Sequence, residues 1–251
     1  MSIAIVFGAN GGIGQEFVKQ ALERHAVVYA CSRPPDDIPN DTTLPVIRAM
    51  DNGLQIVNID ILNEEHLKHF ASQVSNQYGH ADLIVNATGI LHDSKGLQPE
   101  KKIEDFNLEN FNKIFQINTA STALIAKHFI ALLKKSESNP AVFATLSARV
   151  GSIGDNHLGG WYSYRASKAA LNQIIKTLSI EVARRNKNTA VVALPPGTTD
   201  TNLSKPFQQN VKPEKLFSAH YSVSKMFQII DNLFLEDNGK FFAWDGSTIE
   251  W

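Results

Sequence analysis

The first fourteen residues constrain the fold more than any other part of the chain. Residues 2–7 form a short apolar run, and glycines follow at Gly8, Gly12 and Gly14. A run that is apolar on both faces is typical of a buried parallel strand. Glycines between such a strand and a helix let a phosphate approach backbone amides at the positive end of the helix dipole. The stretch therefore predicts a dinucleotide-binding turn, with a glycine turn needed only for close packing as the alternative.

Apolar runs and amphipathic stretches alternate along the rest of the chain. Strands are predicted at residues 2–7, 26–31, 55–60, 82–86, 141–147, 189–194 and 240–243. Helices are predicted at residues 13–24, 64–78, 108–133, 162–185 and 222–235. Residues 33–53, rich in Pro, Asp and Asn, are expected to form a loop that could include one short helix near 44–50. The alternation predicts an α/β fold, a single-domain, doubly wound parallel sheet of about seven strands with helices on both faces.

Composition excludes several classes of protein. The formal net charge of −1 gives no bulk attraction for nucleic acid or an anionic membrane, and no apolar run is long enough to span a bilayer. The start of the chain has no basic region, so a cleaved signal is not expected. Cys31 is the one cysteine, which rules out an internal disulfide and fits a cytoplasmic location. No metal site is expected: His66 and His69 lack a third ligand and are expected on the surface.

The end of the second predicted strand bears on the choice of cofactor. Dinucleotide folds that use NAD usually carry an acidic residue there, which binds the ribose 2′-hydroxyl. Here Ser32 and Arg33 stand in that place, and no carboxylate comes before Asp36. Because a guanidinium forms strong charge-assisted hydrogen bonds to phosphate, NADP(H) is preferred over NAD(H). The alternative is that the two following prolines carry Arg33 away into solvent.

Asp60 ends the third predicted strand. Its carboxylate could accept a hydrogen bond from an adenine amino group. It could equally be only the N-terminal cap of the helix predicted at 64–78, which Gly79 is expected to close.

Tyr164 and Lys168 lie four residues apart in the helix predicted at 162–185, so they share one helix face. A free tyrosine, with a pKa of about 10, is a poor acid–base catalyst at neutral pH. A nearby ammonium favours the phenolate and is expected to lower that pKa. The same spacing arises by chance in many helices, and the position of this pair after the fifth strand is what favours a catalytic interpretation.

Two polar residues complete the candidate set. The helix predicted at 108–133, which Asn107 is expected to cap, carries an apolar stripe that includes Phe111 and Phe115 and is expected to face the sheet. Asn118 lies on this stripe, so its amide must find partners there. Bracing the neighbouring strand is the alternative role for it. Ser147 ends the fifth strand, at the edge where ligands bind in open α/β sheets, and its hydroxyl could polarise a substrate carbonyl. No Gly-x-Ser-x-Gly surrounds it, which argues against a hydrolase.

With these residues in place, the chain resembles a short-chain dehydrogenase/reductase with a Rossmann fold over essentially its whole length. The elements that carry the resemblance are Gly8-x-x-x-Gly12-x-Gly14, Asp60, Asn86-Ala87-Thr88-Gly89, Asn118, Ser147, Tyr164-x-x-x-Lys168 and residues 196–201. Residues 147–168 and the ending 241–251 resemble the C-factor subgroup. Phe7 stands where the family usually has Thr, and Ala87-Thr88 replaces the usual Asn-Ala. Neither departure touches a proton-transfer group.

The resemblance implies an NADP(H)-dependent oxidoreductase that transfers hydride between the nicotinamide and a carbonyl or alcohol substrate. Tyr164 would be the general acid or base, and Lys168 would bind the nicotinamide ribose and depress the pKa of Tyr164. Ser147 would hold the substrate oxygen, and Asn118 would position a water in a proton relay. The expected cofactor contacts are Gly8, Asn10, Gly11, Gly12, Ile13, Gly14, Ser32, Arg33, Asp60, Ile61, Asn86, Ala87, Thr88, Gly89, Tyr164, Lys168, Pro195, Gly197, Thr199 and Thr201.

The substrate pocket is expected between residues 89–97, 149–161 and 198–221. The last of these segments is predicted to be a mobile lid that excludes water when cofactor binds. Besides Ser147, the candidate substrate contacts are Arg149, Asp155, His157 and Trp161. Each of the first three could instead be a surface residue or loop brace, and Trp161 could instead lie at an oligomer contact.

Other functional readings stay open at this point. The C-factor resemblance permits a nucleotide-binding signalling protein in which catalysis is secondary. Dehydratase or epimerase action on sugar nucleotides is less favoured, because those relatives usually carry a larger C-terminal substrate domain. The family also implies a homodimer or homotetramer through the helices that bear Asn118 and Tyr164. The identity of the substrate is not encoded in any motif.

Overall fold

The computed structural model describes residues 1–33, 46–134, 140–185 and 188–251. Within these residues one sheet has seven strands, in the spatial order β3-β4-β2-β1-β5-β6-β7. Their bounds are β1 Ile3–Phe7, β2 Val27–Ser32, β3 Val46–Ala49, β4 Leu54–Asn58, β5 Leu83–Asn86, β6 Ala141–Leu146 and β7 Thr189–Leu194. All neighbours are parallel except β3 and β4. The predicted doubly wound sheet is confirmed.

Helices cover both faces of this sheet. They are α1 Gly12–Leu22, α2 Glu64–Tyr78, α3 Leu108–Phe115, α4 Ser121–Phe129, α5 Tyr162–Arg185 and α6 Ala219–Asp231. Helices α2, α4 and α5 pack on one face, and α1 and α6 pack on the other. In the part of the chain that the structure describes, no helix is long and apolar enough to cross a membrane.

The side chains of β1 alternate between the two apolar layers. Phe7 is fully buried on the side of α2 and α4, where its ring meets Phe70 and Phe129 edge-on at centroid distances of 6.5 and 5.2 Å. Burying a phenylalanine in this way stabilises the fold by about 1.5–3 kcal/mol. The departure from the family at Phe7 therefore places a core side chain directly before the glycine turn.

Local end signals explain why one predicted helix is confirmed at both ends and a second is confirmed at its start. The side chain of Asn63 accepts hydrogen bonds from the first turn of α2, and Gly79 ends that helix with a left-handed φ of 75°. The suggestion that Asp60 caps α2 is therefore wrong, because Asn63 does so. Asn107 caps α3 as predicted, by accepting from the N–H of Asn110.

The predicted helix at 108–133 is interrupted. A π-helical turn spans Gln116–Ala120, and α4 ends at Phe129, followed by a 3₁₀ turn. The wider turn rotates the helix face, so Ile114 is buried in place of Phe115. Phe111 and Phe115 are half-buried and stack on each other at 4.3 Å. Their prediction as sheet-facing residues is wrong.

Three other boundaries differ from prediction. Residues 46–49 form the antiparallel edge strand β3 where a short helix was expected; residues 44 and 45 lie outside the described residues. Residues 240–243 make only isolated bridges through Phe241 and Phe242, because the chain turns back near Gly246. The last helix begins at Ala219, since the Ser218 hydroxyl caps it by accepting from the N–H of Tyr221.

Candidate active site

The glycine turn joins β1 to α1 under tight steric constraint. Gly8 has a φ of +80°, and a Cβ there would lie 2.9 Å from the backbone carbon of Ala87 on the neighbouring segment. A Cβ on Gly14 would lie 2.1 Å from the carbonyl oxygen of Gly8. Both contacts are far inside van der Waals distance, so these two glycines are required for packing whatever else they do.

The same turn leaves a cradle suited to an anion. Gly11 occupies the N-cap position of α1, and it offers no side chain to the N–H groups of the first turn. Unpaired first-turn N–H groups at the positive end of a helix dipole bind phosphate well. Thr201 borders this cradle, since a Cβ on Gly12 would lie 2.9 Å from its methyl carbon. The residues present therefore fit a dinucleotide pyrophosphate.

Ser32 and Arg33 stand beside the glycine turn. The carbonyl of Cys31, the residue before them, accepts from the N–H groups of Gly8 and Ala9 at 2.9 and 3.0 Å. Arg33 is exposed, so its guanidinium is free to reach an anionic group next to the turn. Residues 34–36, on which the alternative for Arg33 depended, lie outside the described residues. Asp60, beyond β4, accepts from the N–H of Leu62 at 2.9 Å.

The segment after β5 is held by its own side chains. The Asn86 amide is buried, donates to Thr122 at 2.7 Å, and accepts from both the N–H and the hydroxyl of Thr88. These two predicted contact residues therefore shape the loop, and their side chains are already occupied. Gly89 follows, and a Cβ there would lie 3.7 Å from both the Asn118 oxygen and the Lys168 nitrogen. The absence of a side chain at Gly89 leaves space between these two groups.

Asn118 lies within the π-helical turn and is almost fully buried. Its side chain accepts from the N–H of Ile90 at 2.7 Å and donates to the carbonyl of Ile90 at 2.9 Å and to Ser167 at 3.1 Å. The side chain thus braces the loop after β5 and ties it to α5, whereas the alternative interpretation expected it to brace the neighbouring strand. A π-helical turn at this point is a feature frequent at functional sites.

Tyr164 and Lys168 share the inner face of α5, and both are buried. The Lys168 amine donates to the carbonyl of Leu146 at 2.8 Å and lies 5.9 Å from the centroid of the Tyr164 ring. Burial raises the pKa of Tyr164 to about 12 and lowers the pKa of Lys168 to about 8. In the protein without a cofactor, loss of hydration therefore sets the pKa of Tyr164, and its depression by Lys168 together with a cationic nicotinamide stays a prediction.

Ser147 lies directly after β6 and is also buried. Its hydroxyl donates to the side-chain oxygen of Asn172 at 2.6 Å. Asn172 lies one turn beyond Lys168 on α5, so Tyr164, Lys168 and Asn172 follow each other at intervals of four residues along one face.

Of the predicted substrate contacts other than Ser147, one lies beside Tyr164 and the other three are exposed. Trp161 is half-buried, and its ring lies 6.1 Å from that of Tyr164. Arg149 instead forms an exposed ion pair with Asp155 at 2.6 Å, which raises the pKa of its guanidinium. His157 is exposed. Of these four residues, Trp161 is the one that the structure brings against Tyr164.

The segment 198–221 packs over Trp161. Two short strands, β8 Thr198–Thr199 and β9 Leu216–Phe217, pair in parallel and hold the ends of the segment together. Between them the Phe207 ring lies 5.1 Å from Trp161 and 5.6 Å from His92. The hydroxyl of Thr199, a predicted cofactor contact, is buried against Ser222 and the carbonyl of Pro196.

Comparison with known families settles the relationship. The family model described as short chain dehydrogenase matches residues 2–212. This chain belongs to the short-chain dehydrogenase family. It is therefore an oxidoreductase of that family.

Individual relatives of this short-chain dehydrogenase are distant, and their matches cover between 74% and 100% of it. An uncharacterized oxidoreductase of Schizosaccharomyces pombe is 27% identical over 259 residues, which is 98% of this chain and 97% of that protein. The C-signal protein of Myxococcus xanthus is 28% identical over 185 residues, which is 74% of this chain and 100% of that protein. An NADPH-bound carbonyl reductase from chicken fatty liver superposes with a TM-score of 0.81 and 25% identity over 100% of both chains.

The short-chain dehydrogenase site contains a buried carboxylate that the sequence did not reveal. Glu100 accepts from the N–H of Ser163 at 3.2 Å and from the Ser163 hydroxyl, and its own carbonyl accepts from the N–H of Trp161 at 2.5 Å. A carboxylate at a helix N-terminus stabilises the helix dipole. Glu100 therefore fixes the first turn of α5, which carries Tyr164. It lies in a loop without periodicity, so no local pattern could have identified it.

Proposed function

We propose that this short-chain dehydrogenase is an NADP(H)-dependent oxidoreductase that interconverts a carbonyl compound and an alcohol, with Tyr164 as the general acid or base. One observation carries the proposal. The buried side chains of Tyr164 and Lys168 lie one helical turn apart. Gly89 leaves space between the Lys168 amine and the Asn118 amide. Titratable groups with strongly perturbed pKa values are concentrated at functional sites.

The residues of the glycine turn support a bound dinucleotide. The first-turn N–H groups of α1 would hold its pyrophosphate, and Thr201 would close over them. Arg33, exposed beside the turn, would bind a 2′-phosphate, which favours NADP(H) over NAD(H). The chicken carbonyl reductase, solved with NADPH, supports the same choice. When bound, the nicotinamide would supply or accept the hydride.

The residues of the chain would supply the proton and the positioning. With a pKa raised to about 12, the Tyr164 phenol stays protonated at neutral pH and can donate to a carbonyl oxygen. The Ser147 hydroxyl would hold that same oxygen in place. Lys168, with a pKa lowered to about 8, still carries its charge at pH 7 and would favour the phenolate that proton donation leaves.

The aromatic side of the site supports a substrate of small or medium size. Trp161 and Phe207 form an apolar wall beside Tyr164, and such a wall would exclude water from the reacting oxygen. The exposed loop that carries Arg149 and His157 would lie at the outer edge, where an additional polar substrate group could meet it.

The proposal is tested by incubating the protein with NADPH and a broad panel of ketones and aldehydes while NADPH absorbance is followed. The expected result is consumption of NADPH with at least one class of carbonyl compound, and slower or weaker use of NADH. Absence of turnover across the panel, together with absence of NADPH binding by titration, would contradict the proposal.

The match to C-signal motivates a second candidate, a signalling protein whose nucleotide-binding fold serves another purpose. The two candidates differ in their dependence on Tyr164. If a biological activity of the protein survives in Tyr164→Phe while reductase turnover is lost, the signalling function is favoured. The buried Tyr164 and Lys168 pair supports catalysis.

A further inference from the structure

The contact between Ser147 and Asn172 restricts how Ser147 can act. The Ser147 hydroxyl donates its one proton to the Asn172 side-chain oxygen at 2.6 Å, and both side chains are about 97% buried. The side-chain nitrogen of Asn172 is buried and has no hydrogen-bond partner within the described residues. A buried amide with one end satisfied and the other unpaired is unfavourable, and it calls for an explanation.

This arrangement conflicts with the role of Ser147 toward a carbonyl substrate. A carbonyl oxygen can only accept hydrogen bonds, so Ser147 can hold it only by donating its proton. A hydroxyl has one proton, and here that proton lies on Asn172. Ser147 must therefore redirect its proton before it can bind the substrate oxygen.

Rotation of the Asn172 amide resolves the conflict. The oxygen and nitrogen of an amide are almost the same size, so half a turn exchanges their positions with little steric change. The nitrogen would then donate to the Ser147 oxygen, which leaves the Ser147 proton free for the substrate. The same rotation pairs the nitrogen and moves the oxygen to the unpaired position, so the two orientations leave the same number of unpaired atoms.

We propose that Asn172 is a positioning residue for Ser147, whose amide sets the direction of the Ser147 proton and turns over when the substrate oxygen binds. The proposal rests on the proposed function, because it assigns Ser147 to the substrate oxygen. Asn172 itself does not touch the substrate in this arrangement. Its location one turn beyond Lys168 keeps it on the same helix as the proton donor.

The test compares Asn172→Asp and Asn172→Ala, each made in the natural sequence and in Ser147→Ala. A carboxylate has the shape of the amide but can only accept, so it keeps the Ser147 proton away from the substrate. We expect kcat of Asn172→Asp to fall by about tenfold or more, since a hydrogen bond to a charged group must be broken. Asn172→Ala removes the group that accepts the Ser147 proton, so kcat should fall less in this variant than in Asn172→Asp. Lowering the pH protonates the new carboxyl, restores a donor, and should recover kcat in Asn172→Asp.

The Ser147→Ala background separates this role from a structural one. Without the hydroxyl there is no proton to direct, so we expect either Asn172 variant to change kcat by less than about twofold there, as for a fully coupled pair. Ser179→Ala removes another buried hydroxyl of α5, bonded to the carbonyl of Lys176, and is the matched control expected to leave kcat unchanged. Thermal unfolding of each variant shows whether it folds. If Asn172→Asp does not fold, the double-mutant cycle is completed with Asn172→Ala.

The outcomes distinguish the inference from the proposed function. If Ser147→Ala lowers kcat and abolishes the effect of the Asn172 variants, the positioning role is supported. If Ser147→Ala lowers kcat but the Asn172 variants lose as much in that background as in the natural one, the inference is overturned and Asn172 acts through packing or charge. If Ser147→Ala leaves kcat unchanged, the role of Ser147 in the proposed function fails, and the inference fails with it.

Discussion

The Lys168 amine lies 5.9 Å from the centroid of the Tyr164 ring, and neither side chain has appreciable contact with solvent. Burial acts on both groups in the direction of neutrality: it raises the pKa of the phenol to about 12 and lowers the pKa of the amine to about 8. The pair is therefore most sensitive to a further charge that enters the site. A bound cationic ring would shift the phenol toward its anion, which the protein does not do by itself.

The burial of Lys168 should make stability depend on pH in a specific window. Its pKa falls from 10.5 in the unfolded chain to about 8 in the folded one, so between these values the unfolded state binds more protons. The contribution of Lys168 to the free energy of unfolding therefore rises with pH across that window, by up to about 3 kcal/mol. This contribution is lost as the pH falls through 8. Lys168→Met lacks this rise. Urea unfolding at pH 7.5 and pH 10.5 gives the free energy of unfolding of the natural protein and of Lys168→Met, and the difference between them should change by that amount. If both free energies depend on pH in the same way, the assignment is contradicted.

The steric limit at Gly14 predicts a loss of both stability and cofactor binding. In Gly14→Ala the new Cβ would lie 2.1 Å from the Gly8 carbonyl oxygen, so the glycine turn must move. Such overpacking typically costs about 1–3 kcal/mol. Gly11→Ala is the matched control, because its Cβ would lie at 3.4 Å from the same oxygen and its φ of −76° suits any residue. Thermal unfolding of both variants measures the contrast in stability, and equal unfolding temperatures would be inconsistent with the packing seen here. NADPH titration compares Gly14→Ala with the natural protein alone, because Gly11 also lines the cradle.

Arg33 should set the preference between the two nicotinamide cofactors. A charge-assisted hydrogen bond to a 2′-phosphate contributes about 1.5–3 kcal/mol, so Arg33→Ala should weaken NADPH binding by roughly 10–100-fold. NADH lacks that phosphate, and its affinity should change by less than about twofold. Fluorescence titration with each dinucleotide gives both values. A protein that binds NADH more tightly than NADPH before any substitution would remove this role from Arg33.

Phe207 should contribute more to substrate binding than to the stability of the fold. Its half-buried ring packs on Trp161 and His92, and Phe207→Ala would uncover the Trp161 side of the site. We expect KM for a reactive carbonyl compound to rise several-fold while kcat changes less, because the wall contributes binding and not proton transfer. Phe111→Ala removes another half-buried ring away from this wall and should leave KM unchanged. A fall in kcat with constant KM would point instead to a role in the chemical step.

Features that depend on local signals were predictable from the sequence. Gly79 defines the end of α2, although the sequence suggests Asp60 as its cap in place of Asn63, and the apolar periodicity of residues 162–185 defines α5. The position of Tyr164 and Lys168 on one face follows from their spacing alone. The sheet edge that gathers the glycine turn and Ser147 follows from the alternation of strands and helices.

Features that depend on distant partners were not predictable. The edge strand β3 exists through its pairing with β4, and its short sequence is compatible with a helix as well. The π-helical turn around Asn118 adds one residue to a pattern that reads equally well as continuous helix. Glu100 meets Ser163 across 63 positions of the chain, and no spacing within the sequence encodes that contact. The position of Asn172 was partly predictable, because it lies one helical turn beyond Lys168 on the same face of α5. Its contact with Ser147 depends on a distant partner.

Tyr164→Phe provides the most direct measurement of the central claim, that the Tyr164 hydroxyl transfers the proton. The substitution removes one oxygen and keeps the ring that packs beside Trp161. With a carbonyl compound that the natural protein reduces, we expect kcat to fall by about 10²–10⁴-fold while NADPH affinity and the unfolding temperature stay the same. A variant that retains kcat within a few-fold, with NADPH still bound, would contradict the claim.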